Sequence, residues 1–448
     1  MSGFLIAVLA VAVILGFMIL IHEFGHYAVA KLLGVRVEQF AIGFGKRLVG
    51  FRRGETDYRI NALPLGGYVK MSGENPMDER TGDPREFLSH SRWHRFLIAI
   101  AGPFMNIALA VGLLTVVYMV RYEYPIYSDQ AAVIAWIRPD SAAARAGLQP
   151  GDKIVRIDDL QNPTWEQVFP KIVLNPDQPV GVTIQRGSQT FQRTIVPKAM
   201  PPSQMGSAGW APWEGIVVDN LEPDMPAAKA GIQEGDIIQS MDGQPMPSIE
   251  AMIEALQHSK DKPVELKVKR DQQILTFHLA PVLANTEDAG EKRYRIGFQG
   301  APETKVGHLS VAGAFQHSLE DNKKLSLLIL QLVEKLVQRK VSLRAFEGPI
   351  GIGRAAGEAA SEKGWTPLMG LTAAISLNLG IFNLLPIPIL DGGVIMLLFV
   401  EGLMRRDISL AIKERIYQAA FVFLVLFAAM VIYNDLAKTL PGMMQRLP

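Results

Sequence analysis

The sequence predicts a polytopic α-helical membrane protein with four transmembrane helices, a membrane-associated β-hairpin region and two inserted α+β domains. Three observations carry this prediction: four long apolar stretches nearly free of charge, a glycine-punctuated segment of β-branched and aromatic residues between the first two, and an internal repeat between the second and third. Composition agrees. Of 448 residues, 49% are hydrophobic and 20% charged, and a formal net charge of +1 supplies no field to attract nucleic acid. The absence of cysteine removes disulfides, thiolate ligands and a cysteine nucleophile. A tightly held transition metal therefore depends on the eight histidines and on carboxylates.

The spans are expected at 1–30, 96–120, 366–392 and 416–434. The first reads as a retained helix and not a signal peptide: no basic n-region precedes it, the first lysine being Lys31, and it runs into His22-Glu23-Phe24-Gly25-His26 where a cleavage site would have small residues. About a dozen Lys and Arg lie between spans one and two, and Arg405, Arg406, Lys413 and Arg415 lie between spans three and four, so both connections are expected in the cytoplasm. Both termini and the region between spans two and three then lie outside.

The first connection, 31–95, is read as short hairpins beside the first helix. Its segments Val37 to Gly45 and Asp57 to Met71 form either a strand edge open to an extended peptide or a pair that caps the bundle. In span two, Gly102 and Pro103 read as packing or kink residues. Asn106, polar at membrane depth, either lines a cavity or bonds a neighbouring helix.

Between spans two and three, the segment Asp140 to Asp158 recurs as Asp224 to Asp242, with Gly147 answering Gly231 and Asp152 answering Asp236. The pattern of short helix, Gly-Asp turn and strand resembles PDZ domains, and two PDZ-like α+β domains are expected at 128–200 and 212–285, with 197–214 as a Pro, Gly and Ser-rich linker. Such domains either capture peptide C-termini or act as a size filter. The segment 303–347 is expected to hold an amphipathic extracytoplasmic helix, at the membrane surface or against the PDZ-like domains.

The chemistry is expected at His22, Glu23 and His26. Residues four apart share a helix face, so both imidazoles can turn to one ion, with Glu23 beside them. A catalytic zinc site needs a third protein ligand, and the lone carboxylate Asp391 lies inside the apolar stretch of span three, just after Pro386 and Pro388. Asp391 is expected toward the cytoplasmic side of span three, as the histidines are of span one, which brings it to their depth.

These motifs resemble the site-2 protease family of intramembrane metalloproteases, most closely its bacterial regulator-of-sigma-E protease branch. The resemblance rests on His22 to His26, Gly43-Phe44-Gly45, Pro64 to Met71, Ala101-Gly102-Pro103 with Asn106, Gly348-Pro349-Ile350 and Asn383 to Gly393, all in family order. It implies Zn2+ held by His22, His26 and Asp391, Glu23 as acid and base, and Asn378 and Asn383 as substrate-binding residues. The strand Gly66-Gly67-Tyr68 joins them as a clamp, with Asn106 lining the same site. It further implies a multi-pass protein of the bacterial inner membrane with periplasmic PDZ-like domains. Its substrate would be a single-span protein such as an anti-sigma factor, cut in the lipid bilayer after a first extracytoplasmic cleavage. Two other classes compete. A catalytically silent PDZ-bearing scaffold would not need the four site residues together, and a metal transporter would show inverted repeats.

Overall fold

A computed structural model describes residues 3–74, 81–201, 203–285, 292–346, 348–361 and 364–444. The chain divides into two compact units: 1–121, 308–329 and 347–435 form the first, and 122–307, 330–346 and 436–448 the second.

Helix α1 of the first unit spans Gly3–Leu32 and is uncharged up to His22. Strands β1 (Val37–Arg53) and β2 (Thr56–Met71) follow, and α2 spans Arg92–Val120, its start capped by the Ser91 hydroxyl, which accepts from His94 N–H. α1 and α2 approach closely. A Cβ on Gly25 would be driven into the Ala101 carbonyl, so only glycine allows this crossing.

The hairpin is longer and more folded than short hairpins. Residues 39–42 of β1 pair with 57–60 on one side and with 67–70 on the other, while 49–53 pair back onto 56–60. Two bent strands thus give four sheet rows, with 67–71 at one edge. Phe44, Leu48, Val49, Phe51, Ile60 and Leu63 are all exposed, an apolar surface suited to lipid.

Helices α3 (Val311–Val337), α4 (Pro349–Ser361), α5 (Thr366–Asn383), α6 (Asp391–Met404) and α7 (Leu410–Met444) supply the other helices of this unit, α3 from its 311–329 part. Two expectations change here. The third span is not one helix: α5 stops at Asn383, a turn follows, and α6 starts at Asp391. Pro386 and Pro388 lack the N–H a helix needs and push the residues before them out of the α region. Among the described residues, three helical stretches are long and apolar enough to cross a membrane: Val11–Leu32, Arg92–Val120 and Leu410–Ala437. Secondly, the segment expected as a helix at the membrane surface or against the PDZ-like domains packs its 311–329 part on α2. Ala314, Ser318 and Asn322 recur every fourth residue on one buried face, the Ser318 hydroxyl donates to Val111 O at 2.8 Å, and the Tyr118 hydroxyl donates to Asp321 at 2.7 Å.

The stretch around Gly348 starts α4. Asp435 of α7 accepts the N–H groups of Gly348 (2.9 Å), Ile350 (3.0 Å) and Gly351 (3.3 Å), satisfying donors that a helix start leaves unpaired. A Cβ on Gly348 would collide with Val431 and Asp435, which explains glycine there.

The second unit holds two cores matching the sequence repeat, one including Ile134, Ile154, Val182 and Ile195, the other Ile216, Ile238, Leu266 and Leu279. The first has the sheet order Leu160–Gln161, Lys153–Ile157, Val180–Arg186, Gln189–Ile195. The repeated Gly-Asp turn has one physical reason in both copies. Asp152 is fully buried and receives Arg186 through two nitrogens at 2.7 and 2.9 Å, and that guanidinium also donates to Gly147 O; Asp236, Arg270 and Gly231 O repeat the arrangement. Both boundaries need correction. The supposed linker folds onto the first core, where Trp210–Ala211 pairs with Trp136–Ile137 and Ala208 is buried. The second copy extends past 285, because Phe298–Pro302 pairs with Ile216–Leu221.

Burial pushes the Asp152 carboxyl up, but Arg186 and the Gln149 N–H outweigh it and hold it below the usual carboxylate range. A lowered folded-state pKa stabilises above the unfolded value of about 3.9, and that contribution is lost as pH falls through the folded value. Arg186→Met is therefore expected to destabilise the first lobe at neutral pH, read as faster amide exchange over Lys153–Ile157, with a deficit that shrinks below about pH 4.

Candidate metal centre

α1 carries His22 and His26 on one face, and the α5–α6 turn delivers Asp391 to them. His22 Nε2 lies 3.1 Å from Asp391 Oδ2, His26 Nε2 3.4 Å from Asp391 Oδ1, and the two Nε2 atoms are 3.2 Å apart. Among the described residues this is the one group of three or more His, Asp or Glu side chains that converges tightly enough to hold a metal ion. The donor set fits zinc. A tetrahedral zinc with nitrogen and oxygen ligands at about 2.0–2.1 Å separates any two ligand atoms by about 3.3 Å; the two nitrogens are 3.2 Å apart, and each faces one oxygen of the Asp391 carboxylate at 3.1 or 3.4 Å. His26 is also correctly turned: its Nδ1–H donates to Ile98 O at 2.7 Å, leaving the Nε2 lone pair for the ion.

Local sequence explains the approach of each part. Cβ atoms on Gly392 and Gly393 would strike the carbonyls of Leu384, Leu385 and Ile387, so the Asp-Gly-Gly start of α6 folds tightly against the preceding turn. Ile389, a β-branched residue, is held at φ +88° within that turn, a strained conformation of order 1–3 kcal/mol. Glu23 accepts a hydrogen bond from Val69 N–H, on the outer edge of β2, and Gly67 lies against the Glu23 side chain. The acid and the strand edge are therefore in direct contact.

His22, Glu23, His26, Val69, Ile389 and Asp391 line a cavity of about 390 Å³ that also includes Tyr68, Asn383 and, farther along, Glu74, Glu401 and Lys413, whereas Gly67 does not reach its wall. Asn383 directs its amide nitrogen to within 3.5 Å of His22 Nε2. Asn378, five residues earlier and roughly 140° around the helix, is absent from the cavity wall. Gly66 is not on the wall either; at φ +100° it shapes the strand next to Gly67. Asn106 is fully buried and lies behind His22, outside the cavity, contrary to its expected place there.

Sequence reasoning missed three features. Gly102, read as a packing residue, lies directly under the site: a Cβ there would run into His26 Nε2 and crowd His22 Cε1. Its signal was a glycine in the span that must cross the histidine helix. Glu401, 1% exposed, and Lys413 form an ion pair at 2.6 Å on the cavity wall. Glu74 lines it as well, its carboxyl pushed up to about 6 by burial.

Two histidines and a glutamate on an apolar helix, completed by a carboxylate from a broken helix, define the class of membrane-embedded metallohydrolases. The chain belongs to peptidase family M50, whose model matches residues 10–427. It is 31% identical to the regulator of sigma-E protease RseP of Escherichia coli K12, over 98% of this chain and 100% of that one. RseP of Salmonella typhimurium 14028s is 32% identical, with 96% and 98% covered, and a Vibrio cholerae protein whose name proposes a zinc metalloprotease is 30% identical over the same shares. This chain is accordingly a zinc-dependent membrane protease.

Gly102→Ala is expected to displace both imidazoles and weaken zinc binding at least tenfold, measured by chelator competition on purified protein.

Proposed function

We propose that this protease performs regulated intramembrane proteolysis, hydrolysing a peptide bond within the membrane segment of a single-span protein. The observation that carries the reading is the juxtaposition of the His22, His26 and Asp391 triangle with Glu23 and the β2 edge. In this reading His22, His26 and Asp391 hold zinc, which when bound supplies Lewis-acid polarisation of the scissile carbonyl and acidifies water at neutral pH. The Glu23 carboxylate takes the proton of the attacking water and passes it to the leaving amine nitrogen. Asn383 offers its amide N–H to the carbonyl oxygen as negative charge develops there. The edge Gly67-Tyr68-Val69 receives the substrate as an added strand, which its outward backbone groups support.

A four-span topology with both termini and the repeated domains outside the inner membrane is supported by the basic loops and by the combined apolar length of α5 and α6. The repeated lobes act as PDZ-like domains that select or exclude substrates by their outer ends. The relatives named as regulators of sigma-E support a substrate that controls a sigma factor; in this reading it is an anti-sigma-factor-like protein whose outer domain has already been removed.

Glu23→Gln is expected to retain zinc and lose cleavage of a membrane-tethered reporter by about 10²–10⁴-fold in detergent. Undiminished cleavage sinks the mechanism. A silent scaffold would show no zinc-dependent cleavage by the unmodified protein at all.

A further inference from the structure

The two histidines of the site are not held alike. His26 is oriented by the Ile98 carbonyl of α2, which takes its Nδ1–H at 2.7 Å. His22 turns Nε2 to Asp391 and His26, so as a neutral zinc ligand it must carry its proton on Nδ1 and donate it somewhere. The group facing that nitrogen is the Asn106 side chain, whose amide nitrogen is 3.4 Å from His22 Nδ1. Asn106 is 0% exposed, and its side-chain oxygen has no partner among the described residues. A buried amide oxygen without a donor is destabilising, and an imidazole N–H pointed at an amide NH₂ gains nothing. A half-turn of the amide about its Cβ–Cγ bond resolves the mismatch at His22, placing Oδ1 against the Nδ1–H.

We propose that Asn106 is a positioning residue of the metal centre: its side-chain oxygen accepts the Nδ1–H of His22 and so fixes that imidazole with Nε2 turned to zinc. Both histidines then take their outer partners from one helix, α2, through Ile98 and Asn106. The Asn106 backbone is pinned for this task. Its carbonyl accepts from the Ser376 hydroxyl at 2.9 Å, and Gly380 lets α5 lie close enough that an added Cβ would sit 3.4 Å from the Asn106 Cβ. This departs from a substrate-binding role, which a fully buried side chain outside the cavity does not suit.

The inference rests on His22 being a zinc ligand, and the test separates the two. Zinc affinity is measured by chelator competition for the full-length protein in detergent, for Asn106→Leu, Asn106→Asp and His22→Ala, alongside the unfolding midpoint of each zinc-free protein. The expected result is a 10–100-fold weaker zinc affinity in Asn106→Leu and an affinity within about threefold of the original in Asn106→Asp, which keeps the acceptor. Unchanged zinc affinity in Asn106→Leu, with only a raised KM for substrate, overturns the proposal. Equal loss in both Asn106 variants, accompanied by lowered zinc-free midpoints, overturns it in favour of packing. Unchanged affinity in His22→Ala overturns the ligand assignment beneath it. In zinc-loaded protein with ¹⁵N-labelled histidine, His22 Nδ1 is expected to carry a proton; an unprotonated Nδ1 overturns the proposal without recourse to any Asn106 variant.

Discussion

The close crossing of α1 and α2 is the constraint on which the site depends. Glycine occupies both sides of it: Gly25 lies against the Ala101 carbonyl, and Gly102 lies beneath the imidazoles of His22 and His26. With little hydrophobic drive between helices in lipid, such contacts are held by close packing and by polar bonds that have nowhere else to go. Here a polar bond runs from the His26 ring to the Ile98 carbonyl of α2, and the Asn106 side chain of the same helix faces His22. The same approach that packs the helices thus turns the rings toward Asp391.

The second requirement is a carboxylate delivered from a different helix. A continuous helix through 366–392 would have placed Asp391 by helical phase alone. The two prolines end α5, and the tight Gly392-Gly393 contact lets α6 begin with its first residue as the ligand. A strained Ile389 marks the turn, and the packing around it holds that strain in place. An interrupted helix at membrane depth is tolerated where it lines a cavity, which is where this one lies.

Much of this was legible in the sequence, for identifiable reasons. The i, i+4 spacing of His22 and His26, the isolation of Asp391 in an apolar stretch and the offset between Gly147 and Gly231 are local patterns, and each corresponds to a local feature of the fold. What escaped was set by tertiary packing. The helix break was visible as two prolines, but the apolar length around them outweighed the breaker signal. The 197–214 segment looked like a linker from its Pro, Gly and Ser content, yet Ala208 and Trp210 supply the core of the first lobe. The amphipathic pattern of α3 left open which surface it meets, because its buried face is made of Ala314, Ser318 and Asn322, small or polar residues that a hydrophobic pattern does not register. Asn106 carried the right residue type and depth, but which way it faced depended on three helices at once.

On the proposed reading, the adjacency of acid and strand edge follows from the energetics of the substrate. Unwinding part of a membrane helix exposes backbone groups whose lost hydrogen bonds cost several kcal/mol each in hydrocarbon. A site that only bound zinc would leave that cost unmet. The 67–71 edge offers main-chain partners beside the metal ligands, so the backbone bonds lost on unwinding are replaced where the chain becomes extended. The bond from Val69 N–H to Glu23 ties the two functions together. It also holds the carboxylate at that edge until a substrate strand competes for the same donor, so strand addition would free Glu23 at the moment the peptide bond arrives.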